Sequence, residues 1–310
     1  MKRINQWDFW KIFTANKKFD SFWLGCIHLN RAGLHPIRIK LADLSTIIRK
    51  LFLSKKNIKE SITSLEKDGI LVINNFLPKD NFASLQSEIR ERTKNIAAKI
   101  PEQTGDKPGF HAPSEFPGGF DRLDGATLNR FINIDSENTP ILYDFIHSPR
   151  FANLCSYSSS LQHTPRKFKI YKMIHGDSDK THDLQQDLHT DTFHSVIKLW
   201  FFLEDVKNED GFMYSVGSHK MTFKRLLWEY KRSILACLPR SPHKGGSFRL
   251  DKNDLEKMNF PQATAFAPKA NTLLIADTRG FHCRGKAKKG AVRLAIYAGL
   301  RPSPFVPFPY

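Results

Sequence analysis

The sequence predicts a mainly β protein with flanking helices, an antiparallel sandwich or barrel that helices cover on one face. Apolar residues recur at about 3.6 positions in the first half and at about 2 in the second, the periods of a helix and of a half-buried strand. Phenylalanine, which favours packed sheets, accounts for 25 of the 310 residues. Helices followed by many short strands are typical of a sheet buttressed on one side.

Helices and one strand account for the first hundred residues. Residues 7–22 and 41–53 place apolar side chains at helical spacing, and shorter patterns predict a helix over 58–66 and another over 80–98. The apolar run at residues 70–73 follows Asp-Gly and predicts a buried strand.

The second half alternates between apolar and polar residues. A helix is expected over 223–236, and residues 101–125, rich in Pro, Gly and charge, are expected to form a long loop. The predicted strands are 167–174, 195–203, 211–216, 271–276 and 291–300.

Charge divides the chain into a basic, helical N-terminal extension over 1–60, packed on the core, and a catalytic β domain over 61–310. The extension has 13 Lys/Arg and 4 Asp/Glu, a net +9 of the total +17. Such an excess of positive charge suits binding to an anionic lipid surface or to nucleic acid, or it is a solvated surface. We expect that the protein has no nucleic-acid partner and is a monomer. Four scattered cysteines and no apolar run of about 18 residues indicate a cytoplasmic protein.

A His-x-Asp motif stands at His189-Thr190-Asp191. On an extended strand, side chains two positions apart leave the same face, so the imidazole and the carboxylate can converge. A second histidine from elsewhere would complete the two-histidine, one-carboxylate triad that suits iron(II), and His282, just past an apolar strand, is the candidate.

The order of motifs around this pair is specific. Gly217-Ser218-His219 forms a tight turn after a strand, and Arg293 follows His282 by eleven positions. From residue 70 to about 300 the chain resembles the phytanoyl-CoA dioxygenase (PhyH-like) family of iron(II)- and 2-oxoglutarate-dependent oxygenases.

The resemblance implies a double-stranded β-helix (jelly-roll, cupin-like) core. It also implies that His189, Asp191 and His282 form the catalytic iron site, that Arg293 binds the far carboxylate of 2-oxoglutarate, and that O2 is consumed with release of succinate and CO2. A guanidinium fork matches a carboxylate, and three protein ligands leave three positions on the metal open. Retention of Asp191 argues against halogenation, which replaces the carboxylate by a small residue.

Two positions depart from the family pattern. Val216 stands where a proline usually precedes the Gly-Ser-His turn, which affects the turn and not the metal site. Arg284 stands where a small hydroxyl residue often helps to hold the 2-oxo acid. Arg284 either replaces Arg293 as the carboxylate anchor or points away, and the spacing favours Arg293.

Further candidates lie on the predicted strands. Lys169 and Tyr171 share a strand face and contact 2-oxoglutarate or substrate if that face looks inward, and Trp200 is either core or a wall of the cofactor pocket. The candidate substrate contacts are Arg130, Asn133 and Arg284.

The predicted function is oxidation of an unactivated C–H bond of a small molecule, by hydroxylation, desaturation or ring closure. The basic cluster Arg284, Lys286, Lys288, Lys289 and Arg293 either draws an anionic substrate, as we expect, or is a solvated loop. Three alternatives stay open: the same chemistry on a nucleic acid or protein, a lipid-facing enzyme docked by its N-terminal helices, and a non-catalytic binding module.

Overall fold

The computed structural model describes residues 6–56, 58–94, 109–111, 119–176 and 183–310. Its centre is an eight-stranded antiparallel sheet that faces a three-stranded one. The strands are β1 (Ile70–Ile73), β2 (Gly109–His111), β3 (Gly119–Asp124), β4 (Thr127–Asn133), β5 (Lys169–Ile174), β6 (Ile197–Phe202), β7 (Phe212–Tyr214), β8 (Thr264–Phe266), β9 (Thr272–Asp277), β10 (His282–Arg284) and β11 (Val292–Leu300). The large sheet has the order β1-β9-β6-β11-β5-β4-β3-β2 and the small one β10-β7-β8.

Helices flank this core. They are α1 (Ile27–Arg31), α2 (Leu34–Leu51), α3 (Lys59–Asp68), α4 (Lys79–Lys94), α5 (Pro140–His147), α6 (Pro149–Ser159), α7 (Phe223–Ala236) and α8 (Asp254–Lys257). The predicted helix over 223–236 is confirmed, and the Thr222 hydroxyl caps it by accepting the backbone N–H of Arg225. No helix among the residues described is long and apolar enough to cross a membrane.

Alternation along β11 separates two apolar cores. Leu294, Ile296 and Ala298 point to the outer face of the large sheet, where they pack with residues of α3, α4, α5 and α6. Arg293, Ala295 and Tyr297 point to the inner face. One strand therefore contributes to the helix-covered core and to the space between the sheets.

The inner core lies between the two sheets. Tyr171, Trp200 and Ala295 of the large sheet pack with Phe212 and Tyr214 of the small one. This arrangement confirms the double-stranded β-helix (jelly-roll) core, although the sheet does not close into a barrel.

Two element predictions need correction. Residues 101–125 are not all loop, because β3 occupies 119–124 and forms a hairpin with β4. The turn of this hairpin contains Gly125, which has positive φ (56°). Polar residues such as Asp121 and Arg122 obscured the alternating pattern of the strand. Residues 101–108 and 112–118 lie outside the described part. The helix expected over 7–22 is a 3-10 helix at Gln6–Phe13 followed by turns.

Candidate metal centre

Three side chains meet at one end of the small sheet. The ligand atoms of His189, Asp191 and His282 all lie within 4.8 Å of one another. Asp191 Oδ1 is 3.6 Å from His189 Nε2 and 3.7 Å from His282 Nε2. The structure thus brings together the three residues predicted to hold iron.

The backbone brings these ligands together. His189 and His282 form an isolated antiparallel bridge, in which each backbone N–H donates to the other residue's carbonyl at 3.0 Å. The backbone N–H of Asp191 donates to Thr278 O at 3.0 Å. His189 and Asp191 were expected on a regular strand; instead two isolated bridges of His189, to Arg249 and His282, and a bend at Asp191 orient them.

Both imidazoles are oriented for a metal. The Nδ1–H of His189 donates to Asp187 O (2.7 Å) and that of His282 to Gly280 O (2.9 Å), which leaves both Nε2 lone pairs facing the group's centre. Burial lowers the pKa of His282 to about 3, so the ring is neutral. Its buried Nε2 has no hydrogen-bond partner within the described residues, as expected of an atom that binds a metal.

The carboxylate is ionised and oriented as well. Burial alone would raise the pKa of Asp191, but the Lys198 ammonium and the His282 imidazole hold it well below its usual range. Lys198 Nζ lies 2.7 Å from Asp191 Oδ2, on the oxygen that does not face the histidines. Two imidazoles that present Nε2 and one anionic carboxylate fit iron(II).

A residue of the N-terminal segment also supports Asp191. Lys17 Nζ donates to the backbone carbonyl of Asp191 at 2.5 Å and also to Ser247 Oγ. The Ser247 hydroxyl donates to the same carbonyl at 3.1 Å. The bend that carries the carboxylate is therefore held by contacts from two distant parts of the chain.

A cavity between the sheets opens on the metal-binding group. Its walls are largely aromatic, and its charged lining side chains, among the residues described, are all cationic apart from the histidines. The lining residues are Arg122, Phe131, Tyr171, Met173, Gln185, His189, Lys198, Trp200, Phe212, His282, Cys283, Arg284, Arg293 and Tyr297.

The two arginines considered for 2-oxoglutarate both line this cavity but differ in their partners. Arg284 donates to Asp183 Oδ2 (2.6 Å), Asp124 Oδ2 (3.0 Å) and Asn129 Oδ1 (3.0 Å). Arg293 donates through Nη2 alone, to the side chain (2.7 Å) and backbone carbonyl of Asp210.

These contacts leave different parts of each guanidinium available. The buried Nε of Arg293 has no partner within the described residues. Arg284 is paired with two carboxylates, whereas Arg293 keeps a donor for a further acceptor.

Of the other residues predicted to contact 2-oxoglutarate or substrate, some line the cavity and others do not. Tyr171 lines the cavity and donates to Asn129 Oδ1 at 2.6 Å, and Trp200 packs on Phe212. Lys169 bonds Asn133 Oδ1 (2.5 Å), and neither residue lines the cavity. Arg130 also lies away from it.

Arg130 forms a buried two-point ion pair with Asp121 on the opposite face of β4. Its guanidinium therefore stabilises the β3–β4 hairpin.

Sequence reasoning missed several lining residues. Lys198 lies two positions before Trp200 on β6, so strand alternation places it on the same face as Trp200, which the sequence left as either core or pocket wall. Met173 shares the face of Tyr171 in the same way. Arg122 lay in a segment expected to be loop, and no sequence signal identified it.

A model of the phytanoyl-CoA dioxygenase family matches residues 65–234, which is 170 of the 310 residues. The chain belongs to the phytanoyl-CoA dioxygenase family. The matched part contains His189 and Asp191, and the fold supplies His282 from beyond it. This family member is accordingly an iron(II)- and 2-oxoglutarate-dependent dioxygenase, and its His-Asp-His group has the residue types and spacing that could hold the metal.

Solved structures resemble this family member at low identity. The non-heme α-ketoglutarate-dependent epimerase SnoN of nogalamycin biosynthesis is 14% identical, with 80% of this chain and 87% of that chain covered and a TM-score of 0.45. HygX of Streptomyces hygroscopicus, solved with nickel and 2-oxoglutarate, is 16% identical, with 79% and 87% covered and a TM-score of 0.40. AviO1 of Streptomyces viridochromogenes Tue57 is 14% identical, with 81% and 99% covered and a TM-score of 0.43. No curated protein matches the chain.

Proposed function

We propose that this dioxygenase oxidises an unactivated C–H bond of a small, anionic metabolite, by hydroxylation, desaturation or oxidative ring closure. The observation that carries the proposal is the cavity, which joins a two-histidine, one-carboxylate group to aromatic walls and cationic side chains. Bound iron(II) with 2-oxoglutarate supplies an oxidant for such bonds, at the expense of O2 and with release of succinate and CO2.

The chain's own residues would orient the reactants. Arg293 lines the cavity, is fixed through Nη2 by Asp210 and has an Nε without a partner among the described residues, and it is the proposed anchor for the far carboxylate of 2-oxoglutarate. Tyr171 and Trp200 form walls beside it and keep water away from the reacting atoms.

The anionic substrate is inferred from charge. Arg122 lines the cavity with one third of its side chain exposed, and its Nε has no partner within the described residues. Its Nη2 is 2.7 Å from Asp124 Oδ2, which fixes the guanidinium. A partly exposed cation close to the metal group suits recognition of a carboxylate or phosphate on the substrate.

The experiment is a screen of acidic and neutral metabolites for compounds that stimulate succinate formation. Product mass distinguishes the reactions, because hydroxylation adds one oxygen, whereas desaturation or ring closure removes two hydrogens. Stimulation by anionic compounds, lost in His189→Ala, would support the proposal. Stimulation by neutral compounds alone would contradict the predicted substrate charge.

The alternative of a non-catalytic binding module predicts a different result. Such a protein would bind the metal yet form no succinate above the His189→Ala background, with or without a candidate substrate. Slow turnover of 2-oxoglutarate by the unsubstituted protein alone would exclude it.

A further inference from the structure

Helix α2 has its polar face inward. The side of α2 that contacts the protein carries His35, Arg38, Ser45 and Arg49, all buried. Arg38 donates to the backbone carbonyls of Ile12, Thr14 and Asn16, and Arg49 to that of Ser303. His35 contacts Glu229 of α7 through Nε2 at 3.0 Å. Ile39 and Ala42 on the same side are also buried and pack with Phe193, so polar contacts and apolar packing together hold this helix to the molecule.

The opposite side of α2 is apolar and exposed. Ile37, Leu41, Leu44 and Leu51 recur at spacings of four, three and seven, which places them in one stripe along the helix. Their exposed fractions are 55%, 41%, 52% and 78%. A helix of a soluble domain normally buries such a stripe, so its exposure indicates that another surface covers it.

Exposed aromatic side chains lie on the segments next to α2. The N-terminal 3-10 helix exposes Trp10 and Phe13, and the ring of Phe13 contacts that of Phe305. Phe52, directly after α2, contacts the exposed ring of Phe308. Aromatic residues beside an apolar stripe are typical of protein surfaces at the membrane–water interface.

The surroundings of this stripe are basic. Residues 1–60 carry 13 Lys/Arg and 4 Asp/Glu, a net +9. Lys40 is exposed near the stripe, and Arg31, Lys55 and Lys56 are exposed before and after α2. We propose that the α2 surface, defined by Ile37, Leu41, Leu44 and Leu51 with the flanking aromatic rings, docks this enzyme on an anionic lipid bilayer.

Charge favours a bilayer over a second copy of the chain. Two copies that met through their α2 surfaces would bring together two sets of the exposed cations Arg31, Lys40, Lys55 and Lys56, which repel at physiological salt. An anionic bilayer takes up the apolar stripe and pairs with the same cations. This proposal is independent of the substrate, because it rests on residues outside the cavity.

The test is co-sedimentation of the full chain with vesicles of phosphatidylcholine alone or mixed with phosphatidylglycerol. We expect binding to the mixed vesicles only, weaker at about 1 M salt than at about 0.1 M, since the Debye length falls from about 10 Å to about 3 Å. A folded protein that sediments with neither kind of vesicle would overturn the proposal. Self-association in light scattering without vesicle binding would overturn it too, in favour of a second copy.

Matched variants separate this surface from general adhesion. Leu41→Ser/Leu44→Ser should weaken binding at least about tenfold, since two half-exposed leucines no longer enter the bilayer. Lys40→Gln should weaken it about fivefold, as expected for one cation near an anionic surface.

The control is Ile141→Ser/Tyr143→Ser on α5. The two side chains are 42% and 37% exposed, and α5 packs on α4 and α6, away from α2. It should bind as the unsubstituted protein does. Equal loss in the control, or unchanged binding in Leu41→Ser/Leu44→Ser, would refute docking through α2. Circular dichroism melting of each variant confirms that it is folded.

Discussion

Lys198 and Asp191 form a partly buried ion pair, in which the ammonium nitrogen lies 2.7 Å from Oδ2 and leaves Oδ1 to face the two histidines. The lysine compensates part of the carboxylate charge and fixes the rotation of the group. It therefore favours coordination through one oxygen, and a metal ligand held in this way loses less entropy when the ion binds.

Replacing Lys198 should weaken metal binding without unfolding the protein. For Lys198→Met we expect a 10- to 100-fold rise in the dissociation constant for Fe(II) or Co(II), about the loss seen when a contact behind a metal ligand is removed. Anaerobic metal titration measures this. Lys169→Met is the control, since Lys169 contacts Asn133 and no metal ligand. Equal affinity in Lys198→Met and the unsubstituted protein would refute the role assigned to the ion pair.

The two arginines considered as the 2-oxoglutarate anchor should show different effects when replaced. Arg293→Met should raise the KM for 2-oxoglutarate about 100-fold and leave metal affinity unchanged, because it removes the proposed carboxylate partner. Arg284→Met should instead lower the free energy of unfolding by about 3–5 kcal/mol, since it leaves Asp183 buried without its cation and Asp124 paired with Arg122 alone.

Steady-state kinetics and urea denaturation measure the two effects. If Arg284→Met raises the KM in a protein of normal stability while Arg293→Met does not, the anchor is Arg284.

The contact between α2 and α7 depends on one carboxylate. Glu229 accepts from Arg225 at 2.7 Å and contacts His35 at 3.0 Å, and all three side chains are buried. Glu229→Ala should cost about 3–5 kcal/mol in urea denaturation, because the Arg225 charge stays buried without its partner. Glu91→Ala, from an exposed pair with Lys94, should change stability by less than about 1 kcal/mol. Similar losses in both variants would argue against this account.

Stability should fall in mild acid. Burial lowers the pKa of His194 to about 3, whereas an unfolded histidine titrates near 6.5. Between these values the unfolded chain binds more protons, so the stabilisation present above pH 6.5 is lost as pH falls towards 3, by up to about 1.4 kcal/mol per pH unit.

Substitution tests this assignment in the metal-free protein. His194→Leu should reduce the slope of unfolding free energy against pH in this window. His28→Leu, at an exposed position, is the matched change. The assignment is wrong if the slope of His194→Leu equals that of the unsubstituted protein.

The sequence predicted the metal ligands because their signals are local. His189 and Asp191 are two positions apart, and His282 follows the apolar residues of β9. Strand alternation likewise places Lys198 on the face of Trp200. Lys17 was not, because its contact with Asp191 spans 174 positions and depends on how the N-terminal segment crosses the domain.

Periodicity also left the orientation of helices open. The spacing of Leu44, Ile47, Ile48 and Leu51 predicts a helix whichever side faces the protein, and the expected core-facing apolar stripe lies outward in the structure. The buried contacts of Arg38 and Arg49 decide the orientation, and their acceptors are mostly backbone carbonyls, which no sequence pattern identifies.

The bridge between His189 and His282 joins segments separated by 93 positions, the difference between their numbers. Closing so long a loop is slow compared with forming a helix or a hairpin. The two histidines cannot bind the same metal ion before the loop closes. Metal affinity should consequently appear in refolding only with the last phase, after helical circular dichroism has recovered. A nascent chain that has not yet reached His282 also lacks β11, which joins β5 and β6 in the large sheet, and it has no complete iron site.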